Sequence, residues 1–247
     1  MSEKKFYLIP TLLGNDSAIK ELTPFNKSIL EVIVTIWVEN EKPARAFLKA
    51  CNLNRPIQDF DIRQIPKNDF NLLDMDEINN CFKSGTSVGF MSDAGLPCIA
   101  DPGALLVNAA LKSGYEIIPL VGASSLMLGL MGSGMNGQQF VFHGYLPVQP
   151  KELKKALKGM ESEVLKSGYT QLFIETPYRN DKLLDSLIEH LAPQIRLCLA
   201  SNLLQNDQQI QTRTIAEWSA SSLQSAKFQR FSYWADNLQS VYHKQEN

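Results

Sequence analysis

Compact apolar runs alternate with segments whose apolar residues recur every three or four positions, and this alternation predicts a βαβ chain through the first half. Phe6–Pro10, Glu31–Val38, Thr86–Met91 and Tyr115–Leu120 read as strands, each a short run rich in Val, Ile, Leu or aromatic residues. A helix is predicted after Gly14, where Asn15 or Asp16 offers a cap, and another from Pro43, which suits a first helical turn. Further helices are predicted around Met75–Lys83 and over Ala104–Ser113, the latter closed by Gly114. Residues 52–73 carry Pro56, Pro66 and several charges. They read as a long irregular loop, a place for substrate contacts or a plain excursion. Four strands joined in this way predict a mainly parallel sheet.

From Val121 the texture changes. Val121-Gly122-Ala123-Ser124-Ser125 opens a small-residue helix over Leu126–Ser133, whose first backbone N–H groups suit a carboxylate or sugar oxygen, or simply a close helix packing. Gln139–Tyr145, Thr170–Glu175, Ile195–Ala200, Ile210–Thr214 and Phe228–Trp234 read as strands, the last alternating as a sheet edge or hairpin does. Helices are expected within Pro147–Lys166 and, after Thr176-Pro177-Tyr178-Arg179, up to about His190. The expected fold class is therefore α/β with two α/β domains. Residues 1–120 form an N-terminal domain with a mainly parallel sheet, and 121–247 a C-terminal domain with a mixed sheet.

One stretch stands out. Val88–Met91 is a strand that ends in Ser92-Asp93-Ala94-Gly95, and Asp101-Pro102-Gly103 then leads into a helix, with Asp101 as its expected N-cap. In open α/β sheets ligands gather at such carboxyl ends of strands. An ordinary βα connection uses the same residues. Four carboxylates sit at predicted strand ends or in this loop: Glu39, Asp93, Asp101 and Glu175.

Composition narrows the class. The chain has 247 residues, 44% of them hydrophobic and 20% charged, which predicts a packed core. A net charge of −2 argues against a broad nucleic-acid-coating surface and leaves room for local patches. Lys151, Lys154, Lys155 and Lys158 share one predicted helix face, a solvated face or a set of RNA phosphate contacts. Cys51, Cys81, Cys98 and Cys198 are scattered without a CxxC pair, the usage of a reducing compartment without disulfides or a zinc site. The N-terminal apolar run is too short for a signal segment, and no run approaches the ~20 residues of a membrane span. A soluble cytoplasmic protein is expected. His143, inside an apolar strand pattern, reads as a satisfied core or interface histidine. There is no GKS or GKT loop and no serine–histidine–acid order. The residues alone predict a cleft enzyme or ligand binder of unstated chemistry.

Four runs carry a resemblance: Val88–Gly103, Ile117–Ser124, Phe140–Pro147 and Leu172–Arg179. In this order they resemble the tetrapyrrole methylase family, class III S-adenosylmethionine-dependent methyltransferases, and within it the bacterial 16S rRNA cytidine 2′-O-ribose methyltransferase branch. SDAG…DPG and ETPYR are the specific motifs, and the similarity spans about Phe6 to Trp218. The resemblance implies S-adenosylmethionine bound in a cleft between two α/β domains, a homodimer, an RNA substrate and no metal or membrane partner. Carried over residue by residue, Leu13 and Gly14 match the first cofactor loop, and Asp93, Gly95 and Leu96 the second, with Asp93 taking the cofactor ammonium. Ser124 and Ser125 match the helix start after the linker, and Ile174–Pro177, with Glu175 and Thr176, the adenosine side. Asn15 and Glu39 are the candidate catalytic residues, Glu39 as a base for a ribose hydroxyl.

The chain also departs from that branch. Glu39 is kept, but Asn40-Glu41-Lys42 replaces Asp-Thr-Arg. A later Arg-Glu-Leu-Thr-Lys reads Ser201-Asn202-Leu203-Leu204-Gln205, and Gln208 and Gln209 replace two glutamates. Amides hydrogen-bond but do not accept protons or form strong ion pairs. Three functions follow: an RNA methyltransferase, a methyltransferase for a small tetrapyrrole-like metabolite, and a cofactor-binding protein that has lost catalysis.

Overall fold

The computed structural model describes residues 4–14, 21–65, 75–83, 85–101 and 103–220, and the backbone of 231–236. The chain divides into two compact units, Met1–Ser124 and Ser125–Asn247. The handover expected at Leu120–Gly122 lies just inside the first.

The first unit carries strands β1 (Lys5–Leu8), β2 (Thr35–Val38), β3 (Asp61–Gln64), β4 (Val88–Met91) and β5 (Glu116–Pro119). They form one sheet in the order β3-β2-β4-β1-β5, with every pairing parallel. Helices α1 (Pro24–Val32), α2 (Glu41–Ala50), α3 (Met75–Lys83) and α4 (Ala104–Lys112) connect them. The sheet is covered on both faces, which is why its inner strands read as unbroken apolar runs. Alternate residues feed two cores. Phe6, Trp37, Val88 and Phe90 pack with Phe82, Leu106 and Tyr115. Ile36, Val38 and Met91 pack with Leu30, Phe47, Leu48 and Leu120.

Three expectations are corrected here. Glu31 and Val32 belong to α1, not to a strand, because Thr23 starts a helix whose N-terminus it caps by accepting from the Asn26 N–H at 3.1 Å, with Pro24 in the first turn. The expected irregular loop contains β3, whose sequence Asp-Ile-Arg-Gln has no apolar run. It is an edge strand held by its backbone ladder to β2, so its side chains needed no strand pattern. Asp101 is not the cap of α4; Gly103 stands there. The helix expected from Asn15 or Asp16, residues 66–73 of the expected loop, and Pro102 lie outside the described residues.

The second unit carries α5 (Ser125–Ser133), β6 (Phe140–Tyr145), α6 (Pro150–Ser167), β7 (Thr170–Glu175), α7 (Asn180–His190), β8 (Arg196–Ser201), β9 (Gln209–Thr214), α8 (Ile215–Ala220) and β10 (Phe231–Asp236). Its sheet runs β6-β7-β10-β8-β9, with β6 and β7 parallel and the other pairs antiparallel. β10 pairs on both sides, so it is an interior strand and not the edge its alternation predicted. Leu153, Leu157, Met160 and Val164 line the buried stripe of α6 and pack with Leu183, Leu187, Phe173 and Trp218. His143 is exposed, with Nε2 2.7 Å from Oε1 of the buried Gln171, so it is not a core histidine. Among the described residues no helix is long and apolar enough to cross a membrane, and no group of three or more metal-ligating side chains gathers.

Candidate functional site

In the first unit four loops converge at the carboxyl ends of β1, β2, β4 and β5. The chain leaves β2 for β3 on one side of the sheet and leaves β4 for β5 on the other, so the strand order reverses between β2 and β4. Crevices at such reversals are where α/β sheets bind ligands. Glu39 and Asn40 follow β2, and Asp93 follows β4, so they flank that crevice. The Asp93 N–H donates to Glu39 Oε2 at 2.9 Å, and Asn40 Nδ2 donates to Asp93 Oδ2 at 2.6 Å.

The β1 and β4 loops are stitched together. Thr11 and Gly95 exchange both backbone hydrogen bonds, 2.9 and 3.2 Å, and Thr11 Oγ1 donates to the Ser92 carbonyl at 3.1 Å. Gly95 has φ +76°, a conformation that disfavours a side chain, and a Cβ there would lie 3.2 Å from Leu13 Cδ2. The loop after β5 joins them: a Cβ on Gly122 would lie 2.1 Å from Pro10 Cβ, and Asn26 Nδ2 donates to the Val121 carbonyl at 2.7 Å. Leu13 N–H is directed at the Glu21 carboxylate, 3.1 Å from each oxygen. Leu13, Gly14 and Leu96 are half-buried and Asp93 is exposed.

Asp101 organises the rest of the loop. Its Oδ1 accepts from the N–H groups of Cys98 and Gly103 at 2.8 and 2.9 Å. Around it Cys98 and Ala100 take left-handed φ of 70° and 63°. Each such non-glycine residue costs about 1–2 kcal/mol, which only an over-determined loop tolerates. Electrostatically this end of the unit is acidic. Burial pushes the Glu39 carboxyl above its ordinary range; the Asp93 N–H opposes that, and the charges of Asp101 and Asp93 add to it. Burial also pushes Asp101 up, against the pull of its N–H donors and Ser92.

The second unit holds the remaining candidates. Glu175 ends β7 with its side chain fully buried: Oε1 accepts from Thr176 N–H and Oγ1–H at 2.7 and 3.1 Å, and Oε2 pairs with Arg179 at 3.1 Å. Arg179 also reaches the Leu146 and Pro147 carbonyls at 3.4 and 3.5 Å, so two of the sequence motifs meet through one guanidinium. Ser124 closes the first unit and Ser125 opens α5, both half-buried. The amide-rich segment is a turn bonded to itself. Asn202 Nδ2 donates to Asp207 Oδ2 at 2.7 Å, Gln208 Oε1 accepts from Leu204 N–H at 2.8 Å, and Asn202 and Leu204 have positive φ. Lys151, Lys154, Lys155 and Lys158 are all exposed, but Lys158 is paired with Glu161 at 2.8 Å. Asn15 lies outside the described residues.

No protein-family model matches the chain. It is similar to the ribosomal RNA small subunit methyltransferase I of Bacillus subtilis, 29% identical over 185 residues that cover 75% of this chain and 59% of that protein. The protein of the same name from Vibrio cholerae is 28% identical over 211 residues, 85% of this chain and 69% of its own. Among solved structures, the methyltransferase CobJ superposes on 96% of this chain and 95% of its own with TM-score 0.61 at 15% identity. Uroporphyrin-III C-methyltransferase of Thermus thermophilus, complexed with S-adenosyl homocysteine, superposes on 96% of this chain and all of its own with TM-score 0.55 at 12% identity. The chain's fold is the one these methyltransferases share. The chain spans under two thirds of the Bacillus protein's length.

The sequence pointed to Asp93, Gly95 and Leu13 but gave no sign of Thr11, Asn26 and the grip of Asn40 on Asp93. Their signal is weak: each is one polar residue near an element end, and nothing local names its partner 81, 95 or 53 positions away.

Proposed function

We propose that the chain is an S-adenosylmethionine-dependent methyltransferase acting on RNA, of the kind that methylates a ribose 2′-hydroxyl of 16S rRNA. The observation that carries this reading is the Asp93 carboxylate, exposed and oriented by Asn40 at the reversal between β2 and β4, beside the glycine-shaped Thr11–Gly95 junction. An exposed, oriented carboxylate at such a strand end suits the ammonium of a ligand. The similarity to ribosomal RNA methyltransferases supports the RNA acceptor.

When bound, the cofactor supplies a methyl group on a positively charged sulfur. The candidate cofactor residues of the first unit are Leu13, Gly14, Asp93, Gly95, Leu96 and Ser124; Ser125, Glu175 and Thr176 are the candidates of the second unit taken by itself, and Asn15 remains a candidate by resemblance alone. Asp93 would hold the ammonium, the Thr11–Gly95 junction fixes the loop beside it, and the Glu175–Arg179 pair fixes the turn that carries Thr176. The transfer is an in-line displacement, so the chain contributes positioning and exclusion of water. A cytoplasmic homodimer completes the reading; light scattering at micromolar concentration then gives twice the 27.7 kDa chain mass.

The test is calorimetry with S-adenosylhomocysteine together with radiolabelled methyl transfer to small ribosomal subunits lacking this modification. Asp93→Ala weakens cofactor binding by about 1.5–3 kcal/mol, the worth of a hydrogen bond to a charged group. Absence of binding by the wild type refutes the reading. Binding without transfer to any RNA favours the small-acceptor alternative, which the self-bonded, amide-rich Asn202–Gln208 turn supports.

A further inference from the structure

We infer that Glu39 is a positioning residue that, with Asn40, holds Asp93 in its binding geometry, and that it is not the proton acceptor of the transfer. The inference rests on the proposed methyltransferase reading and assigns roles within that site. β2 and β4 are neighbours in register, Val38 opposite Met91, so the chain beyond them carries Glu39 and Asn40 alongside Ser92 and Asp93. Consecutive residues grip Asp93 at two points: Glu39 Oε2 accepts from its backbone N–H at 2.9 Å, and Asn40 Nδ2 donates to its carboxylate at 2.6 Å. One bond fixes the peptide and the other fixes the side-chain torsions. The amide orientation of Asn40 is dictated, because the flipped amide sets its oxygen against Asp93 Oδ2.

A carboxylate holding an N–H makes a stronger bond ionised than protonated. If Glu39 accepted the acceptor's proton, it would loosen the loop that binds the cofactor at the moment of transfer. Its surroundings also explain why a carboxylate here is not needed for its charge. Asp93 and Asp101 already make this corner negative, and the bond to Asp93 N–H asks only for an acceptor oxygen.

Glutamine keeps that oxygen and cannot take up a proton, so Glu39→Gln and Glu39→Ala separate the two roles. The measurements are S-adenosylhomocysteine affinity by calorimetry, kcat and cofactor KM for methyl transfer, and the pH profile of kcat. With Glu39 as a positioning residue, Glu39→Ala weakens affinity and raises KM by about tenfold or more, while Glu39→Gln stays within about threefold of wild type and leaves the pH profile in place. Asn40→Asp, which sets a second carboxylate against Asp93, weakens affinity like the alanine variant. A fall in kcat of about a hundredfold or more in Glu39→Gln with affinity unchanged is the signature of a lost base and overturns the inference. So does a wild-type protein that binds the cofactor product and a folded Glu39→Ala variant that binds it equally well. If Glu39→Ala does not fold, the glutamine variant decides alone. A wild-type protein that binds no S-adenosylhomocysteine refutes the underlying methyltransferase reading instead, so the two failures are distinct.

Discussion

Replacing Gly122 with alanine puts a methyl carbon 2.1 Å from Pro10 Cβ and 2.4 Å from Pro10 Cγ, where ordinary contact begins at 3.4 Å. The gap to be opened is 3.4 − 2.1 = 1.3 Å. Pro10 cannot rotate away, since its ring is part of the backbone and is buried at the end of β1. The strain must therefore pass into the loops. Moving Pro10 moves Thr11, whose two backbone bonds hold Gly95, and then Leu13, which packs beside Gly95. Overpacking of this kind costs about 1–3 kcal/mol. For a unit of this size that lowers the melting temperature by roughly 5–10 °C. Because the clash sits among the proposed cofactor loops, affinity for S-adenosylhomocysteine falls as well. The control is Gly159→Ala on α6, where no atom lies within 4 Å of the new Cβ. A glycine-to-alanine change in an exposed helix interior stabilises by about 1 kcal/mol. Thermal melts and calorimetry on the two variants decide the matter: a Gly122→Ala protein that melts and binds like wild type refutes this packing of the β1 and β5 loops.

Two further predictions concern charge. Burial raises the folded-state carboxyls of Glu39 and Asp101 above their ordinary values of 4.5 and 3.8, so the folded state binds those protons more tightly than the unfolded chain does. Their contribution therefore becomes more favourable as pH falls from above the folded values toward 4.5 and 3.8, and is least favourable at neutral pH. Denaturant unfolding of wild type against the double variant Glu39→Gln, Asp101→Asn is expected to show a wild-type deficit at neutral pH that shrinks toward about pH 4; parallel profiles refute it. On α6, changing Lys151, Lys154 and Lys155 to alanine spares the Lys158–Glu161 pair and is expected to flatten the salt dependence of RNA binding, by up to about 0.7–0.9 for each phosphate no longer neutralised, without changing cofactor affinity. An unchanged salt slope removes this face from the RNA surface.

Burial on both faces made the first sheet legible in the sequence. Val88–Met91 and Phe6–Leu8 are apolar at consecutive positions because residues of either parity meet a core, and no other local structure of that length accounts for such a run. The amphipathic stripe of α6 and the glycine that ends it at Gly168, with φ 71°, are likewise local facts written in local residues. The turn after β4 was legible in a similar way: Gly95 takes a backbone conformation that a side chain disfavours, and that requirement lies in the residue itself.

Tertiary structure decided what depends on partners far along the chain. β3 has no apolar pattern, because an edge strand needs only a backbone ladder, and that ladder belongs to β2. β10 alternates like an edge strand yet lies between β7 and β8, since alternation reports the faces of a strand and not its neighbours. Asp101 looks like a helix cap from its place before Pro102, but its oxygen turns back to the N–H groups of Cys98 and Gly103. Glu175 looks like an open strand-end carboxylate and is a buried partner of Arg179. Glu39, Asn40 and Asp93 are three polar residues at two strand ends. Only the pairing of β2 with β4 brings them within hydrogen-bonding distance, because a hydrogen bond is set by separation in space, and separation along the chain carries no record of it.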